Sequence, residues 1–328
     1  MATPGQSTLF NTFTELVSTT YRNHKKSFAD NVSTHNALWR RLSDKGRIRL
    51  EDGGLSIVTP LEYATNSTFQ RYSGFDTLNI QAVDVLTAAE FAWKQAAENV
   101  AISGLEMRSN SGESRIINFT KAKIKNAMNS FKNNMSSDIY SDGTASNQIG
   151  GMQALVSDAG TGTVGGINSS TFTFWKSIVQ SAAAPLQGGG AITPSATTIE
   201  SLMLPLWIKL TRGTDMPDLI VMDPIYFAYF EQSQTSLKRY TSDQPGQGGM
   251  ISMKYKTADV FFDASTLIPA SHAYFLNTEY LELVVHRDAN MEMMDDLRSI
   301  NQDAVVIPIL WMGNAVCSNR SLQGVIKA

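Results

Sequence analysis

At 328 residues the chain is long enough for two ordinary domains or one elaborate one. Hydrophobic residues make up 42% of it, enough for a folded core, but only 17% are charged and the net charge is −3. No apolar run approaches the roughly 18 to 20 residues of a membrane helix, and MATPGQSTLF lacks a basic-then-apolar signal pattern. A single cysteine, Cys317, excludes an intrachain disulfide framework and agrees with assembly in a reducing cytoplasm.

Much of the uncharged remainder is Ser, Thr, Asn, Gln and Gly, so copies of the chain repel one another weakly. The modest net charge conceals two basic stretches. Between Arg22 and Arg49 eight Lys/Arg face Asp30 and Asp44, and between Arg108 and Ile139 six face Glu113 and Asp138. Such stretches are either solvated faces or one side of a larger assembly.

Residues 1–45 read as an arm. Leu9, Phe13, Leu16, Val17 and Tyr21 recur near helical spacing, and Ala37 to Asp44 suggests a short helix stopped by Gly46. From Arg47 to Ile80 the signals change to strand and turn. RIRL, the turn Glu51-Asp52-Gly53-Gly54, LSIVTPLEY, the polar tip ATNST, FQRY, Ser73-Gly74 and FDTLNI follow in order. This describes a long hairpin-like excursion, and a two-stranded ribbon alone is marginal in water. Leu86 to Gly104 reads as one strand returning to a core, with Phe91 and Trp93 on one face.

Asn110-Ser111-Gly112-Glu113 offers a helix start, with Glu three positions after Asn. The helix it opens, roughly Glu113 to Ile139, carries Ile117, Ile124, Met128, Phe131, Met135 and Ile139 as one apolar stripe, with Lys121, Lys125 and Lys132 off it. A helix of this length suggests a structural spine. It runs into DIYSDGT, then QIGGMQALV and TVGGINSSTFTFW. An α/β region follows: helix Thr197–Leu210, buried strand Asp218–Met222, a helix from Ile225 to Thr235 opened by Asp223-Pro224, and strands at Val260–Phe262 and Ala273–Leu276. A Pro/Gly-rich loop, Ser242 to Gly249, interrupts it. Asn290 to Lys327 reads as strands that pair beside the spine helix.

Signals for catalysis are sparse. Gly160 to Gly165 has the spacing GxGxxG, but Ile167 to Thr198 contains no acidic residue and no helix signal follows, so it reads as a flexible loop. Asp223 stands where a strand meets a helix, a position that suits a catalytic carboxylate and equally suits a helix start. His24, His35, His272 and His286 are scattered, without metal-ligand spacing to Cys317 or to a carboxylate, and Asp295-Asp296 reads as a solvated turn. No catalytic, cofactor-binding or metal residue is assigned.

Taken in order, the arm, the extended loop, VAISGLEMRSNSGE, the spine helix, DIYSDGT, TVGGINSSTFTFW, LIVMDP and NRSLQG resemble the major capsid proteins of tailed bacteriophages. The resemblance implies an α+β, Hong Kong 97-like capsid fold. Its parts would be an amino-terminal arm (1–46), an extended β-hairpin loop (47–81), a peripheral domain with a long spine helix (82–140 and 288–328) and an α/β axial domain (141–287). It implies a non-enzymatic subunit that builds hexamers and pentamers of an icosahedral shell around double-stranded DNA, located in the virion capsid and assembled in the host bacterial cytoplasm. Implied partners are other copies, a portal, a separate scaffolding protein, a decoration protein and DNA contacted without sequence specificity, with no cofactor and no membrane. Lys121, Lys125 and Lys132 are the residues expected to face DNA, and Glu62 and Arg71 those expected to make loop contacts between subunits. Some members cross-link through a loop lysine, but Arg47 to Trp93 contains none, so a non-covalent shell is expected. An encapsulin-like cargo compartment is the alternative within the fold, and a soluble α/β enzyme the alternative outside it.

Overall fold

A computed structural model describes residues 36–109, 113–234, 253–264, 266–294, 297–298 and 302–328. The readings at Leu9–Tyr21, His24, His35, Asn110–Gly112, Ser242–Gly249 and Asp295-Asp296 therefore lie outside the described residues. The chain divides into two compact units. One holds Gln95–Ser136 and Asp288–Met312, and the other holds Asn36–Lys94, Ser137–Arg287 and Gly313–Ala328.

In chain order, helix α1 (Ala37–Asp44) leads to strands β1 (Ile48–Glu51), β2 (Ile57–Glu62), β3 (Leu86–Phe91) and β4 (Lys94–Ser103), then to helix α2 (Glu113–Asp138). The short strands β5 (Thr163–Val164) and β6 (Ile167–Asn168) precede β7 (Ile178–Ser181), helix α3 (Ile199–Leu210), β8 (Leu219–Met222) and helix α4 (Pro224–Ser233). Strands β9 (Met253–Tyr255), β10 (Ala258–Phe262), β11 (His272–Leu276), β12 (Leu281–Met293), β13 (Leu297–Arg298), β14 (Ala304–Cys317) and β15 (Gly324–Lys327) complete the chain.

In the first unit, Ala127 on α2 packs with Val100 and Ile102 of β4 and Ile309 of β14, and Ile124, Met128 and Ile307 close over them. The stripe read from the sequence is thus the buried face of the long helix, continued by Phe131 and Met135. Ile117 lies in α2 with its side chain outside the described residues.

The second unit is built on a six-stranded sheet ordered β7-β15-β11-β8-β10-β9. Strand β8 (LIVM) is buried at every position because it sits inside the sheet with both faces covered. It runs parallel to β10 and antiparallel to β11. Helices α3 and α4 cover one face, where Leu206, Trp207 and Leu210 meet Tyr226, Phe230, Val260 and Phe275. Pro224 opens α4 at its first position, where no backbone donor is required.

Four expectations are corrected. Strand β1 does not pair with β2; it runs parallel to β12, with Ile48 opposite Leu283. FQRY and FDTLNI form no strands. Instead, side chains turn the chain back on itself between residues 63 and 85: Gln70 donates to the Thr77 carbonyl at 2.8 Å, and Asp76 accepts from the Ser73 N–H at 2.8 Å. The return strand from Leu86 is broken at Ala92-Trp93, where the Trp93 indole leaves the ladder to donate to the Gly54 carbonyl at 3.0 Å and meets the His286 ring edge-on. The final strand also departs from expectation. β15 pairs antiparallel with β11 and parallel with β7, inside the six-stranded sheet.

The DIYSDGT and QIGG motifs close the carboxyl end of α2. Met152 donates to the Ile139 carbonyl at 2.8 Å, Ser141 Oγ donates to the Ile149 carbonyl at 2.7 Å, and Gln148 donates to Asp138 at 2.8 Å. These bonds bring Gly151 against the helix end so closely that a Cβ there would lie 2.5 Å from the Asp138 carbonyl and 2.6 Å from that of Ile139. Backbone cannot yield as a flexible side chain does. Gly151→Ala is therefore expected to cost about 3 kcal/mol, the upper part of the overpacking range, read as a lower urea midpoint of the unassembled subunit.

Helix α1 is held by a buried carboxylate. Asp263 accepts from the Ala37 N–H at 3.2 Å, the Ala264 N–H at 2.9 Å and the Tyr140 hydroxyl at 2.9 Å, while Asn36 caps the same helix by accepting from Trp39. Burial pushes the Asp263 carboxyl above its ordinary value, and these donors offset the shift only in part. The folded state therefore holds the proton longer than the unfolded chain. Its contribution to stability is whole below about pH 4 and is lost as pH rises through the folded value. Tyr140→Phe removes one donor from the ionised form, so its destabilisation is expected to be about 2 kcal/mol at pH 7 and smaller at pH 4. Urea melts at the two pH values measure it, and an equal cost at both would contradict the account.

Candidate assembly surface

Among the described residues, strands β2 and β3 pair only with each other, Ile57 opposite Phe91 and Glu62 opposite Leu86. Alternation puts Ile57, Leu61, Ala89 and Phe91 on a buried face, while Val58 and Leu86 stand exposed on the other. Beyond the ladder the tip displays Phe69 (81% exposed), Ile80 (91%) and a fully exposed Phe75, with Tyr72 and Leu78 beside them in sequence. Isolated exposed apolar residues are ordinary, but this concentration on one excursion marks an interaction site. Burial of such side chains is worth about 1.5–3 kcal/mol each, so the five hold on the order of 10 kcal/mol. That is comparable with the roughly 4–15 kcal/mol cost of fixing one protein against another.

Glu62 ends β2 and Arg71 lies in the irregular tip, both exposed. The aromatic and aliphatic residues around these two charged ones carry more burial energy and are absent from the contacts expected from the sequence. The signal was available in the spacing of Phe69, Tyr72, Phe75, Leu78 and Ile80, which fits no strand with one core face.

On the long helix, Lys125 and Lys132 are exposed and stand seven residues apart, so they share a face. Lys121 lies in the same helix with its side chain outside the described residues. Lys123 plays a different part: its ammonium donates to both oxygens of the buried Glu106, at 3.0 and 3.2 Å. Burial pushes the Glu106 carboxyl up, but the Ser103 N–H and the Lys123 charge outweigh it and hold the carboxyl below its ordinary value.

The residues weighed for chemistry are dispersed. Gly160 to Gly165 leads into the β5–β6 hairpin with no helix opening on it. Asp223 is buried at the start of α4 and accepts from the Ser271 N–H at 3.3 Å. His272 pairs with Asp158 at 3.0 Å, and His286 packs on Trp93. Burial pushes the Cys317 thiol up to about 12, which keeps it protonated and unreactive at neutral pH. Among the described residues no group of three or more His, Cys, Asp or Glu could hold a metal, and no helix is long and apolar enough to cross a membrane.

No family model and no curated protein matches the sequence. Solved structures do match the fold. The capsid asymmetric unit of Cyanophage A-1(L) aligns over 92% of this chain and 94% of its own, with a TM-score of 0.70 at 17% identity. The capsid of an empty GTA particle aligns over 92% and 93%, with a TM-score of 0.60 at 8% identity. The holo-SrpI encapsulin complex of Synechococcus elongatus PCC 7942 aligns over 94% of both chains, with a TM-score of 0.50 at 8% identity. Aligned with these structures over more than nine-tenths of its length, and built of a long helix, a β-hairpin and a six-stranded α/β unit, this chain has the α+β Hong Kong 97-like capsid fold.

Proposed function

We propose that this chain is a major capsid subunit that assembles through hexamers and pentamers into an icosahedral shell enclosing double-stranded DNA. The observation that carries the reading is the hairpin tip, whose exposed Phe69, Phe75 and Ile80 require a covering surface, on a fold shared across nearly the full chain with capsid structures. The excursion from Ile57 to Phe91 then serves as the extended loop and 141–287 as the axial domain, and Glu62 and Arg71 join the loop's contacts with other subunits. The contacts are heterologous and close into a shell when their rotation closes. The wider partners are a portal, a separate scaffolding protein, a decoration protein and the packaged DNA, with assembly in the bacterial cytoplasm and final residence in the virion. Sedimentation of purified protein, with scaffold supplied, tests the reading: megadalton particles support it, and a small soluble oligomer is the result expected of an α/β enzyme. The likeness to an encapsulin favours a second reading, a cargo-enclosing compartment. Particles carrying protein cargo and no nucleic acid would select it.

In a DNA-filled shell, Lys121, Lys125 and Lys132 face the packaged phosphates without reading sequence. Changing all three to Gln is expected to leave empty-shell yield intact, because the apolar face of α2 is untouched. DNA retention should be weaker at low salt and should depend less steeply on salt, because fewer counterions are released when the phosphates are bound. Retention measured across a salt series checks it. Failed assembly would assign the lysines to subunit contacts, and unchanged retention to solvent.

A further inference from the structure

We infer that the segment Thr163–Trp175 is a seat that fixes the direction of the long hairpin, with Gly165 as its point of close contact. The inference rests on the shell reading for its consequence, but its geometry is independent of it. Strands β5 and β6 join through Gly165-Gly166, with φ of 58° and 77°, a turn that suits glycine. The Gly165 carbonyl accepts from the Glu90 N–H in β3 at 3.0 Å. A Cβ at Gly165 would come 2.8 Å from the Ala89 Cβ and 3.1 Å from the Phe91 ring, so only glycine permits this approach.

The seat is itself held from behind. The Trp175 indole donates to the Val164 carbonyl at 2.9 Å, and the Trp175 carbonyl accepts from the buried Arg320 at 3.2 Å. A second contact lies just past the end of β2, where the Tyr63 ring meets Phe174 with centroids 5.8 Å apart. The two-stranded ribbon is thus gripped at two points, and two points define a direction. Beyond them, a change of about 10° displaces the ribbon by roughly 3–4 Å for each ~20 Å of its length. Closure of a shell needs the same angle in every copy.

The test uses the full chain in three forms: unaltered, Gly165→Ala, and Gly165→Ala combined with Ala89→Gly, which removes the methyl that the new Cβ would meet. Hydrogen exchange of the peptide covering Leu86–Phe91 in unassembled subunits reads the seat, and the peptide covering Leu219–Met222 reports whether the core is intact. Expected are exchange about tenfold faster over Leu86–Phe91 in Gly165→Ala with the core unchanged, a return toward the unaltered rate in the double variant, and closed shells lost and regained in step by electron microscopy. Unchanged exchange over Leu86–Phe91 overturns the seat whether or not the unaltered chain forms shells. Faster exchange with normal shells overturns its role in assembly. If the unaltered chain forms no shells while Gly165→Ala loosens the hairpin, the seat stands and the shell reading fails.

Discussion

Phe69→Ser, Phe75→Ser and Ile80→Ser together are expected to give a subunit that folds as the unaltered chain does and builds no closed shell. All three side chains are at least four-fifths exposed, so the isolated subunit loses almost no buried apolar surface when they change. Exposed substitutions away from special backbone geometry ordinarily move stability by less than about 0.5 kcal/mol. In the shell each removed side chain withdraws about 1.5–3 kcal/mol of burial, and the loss recurs at every subunit contact. Urea melts of the unassembled subunit should therefore superimpose, while sedimentation under assembly conditions shows only small species. Normal particles from the triple variant would remove the hairpin tip from the account.

The second large effect lies at the other extreme of exposure. Arg320 is completely buried, its Nε donating to the Leu155 carbonyl at 2.7 Å and its Nη1 to that of Trp175 at 3.2 Å, with the guanidinium 6.0 Å from the Trp175 ring centroid. Burial pushes its pKa below the ordinary value, yet no carboxylate pairs with it among the described residues. Its worth lies in satisfying the carbonyls of two buried residues, Leu155 and Trp175. Arg320→Ala leaves both unpaired and opens a cavity, and the combined cost is expected to be about 4 kcal/mol. Arg320→Lys, whose one ammonium nitrogen cannot stand in both places that Nε and Nη1 occupy, should lose roughly half as much. Denaturant unfolding of the unassembled subunit measures both, and a loss under about 1 kcal/mol for Arg320→Ala would contradict the assignment.

Elements governed by local sequence were legible. The apolar period that marked a helix from about Glu113 to Ile139 corresponds to α2 at Glu113–Asp138, and Asp223-Pro224 marks the start of α4. The LIVM run of β8 announced a strand covered on both faces. What escaped was set by pairing at long range. Nothing in RIRL distinguishes a partner six residues ahead from one in β12, more than two hundred residues on, and nothing in GVIK places it between β7 and β11. Of the candidate site, the off-stripe positions of Lys125 and Lys132 were legible, whereas the pairing of Lys123 with Glu106 depends on how β4 and α2 meet. Gly165 showed the same limit. Its spacing resembled a nucleotide loop, and its chemistry is instead a missing methyl beside Ala89, visible only once the hairpin lies against it.

Closure of copies of this chain into a shell through the hairpin tip is tested most directly by cryo-electron microscopy of particles assembled from the purified protein. Expected are closed icosahedral particles of hexamers and pentamers, with Phe69, Phe75 and Ile80 covered by a neighbouring copy. Particles in which those three side chains remain in solvent, or protein that stays monomeric with scaffold present, would contradict it.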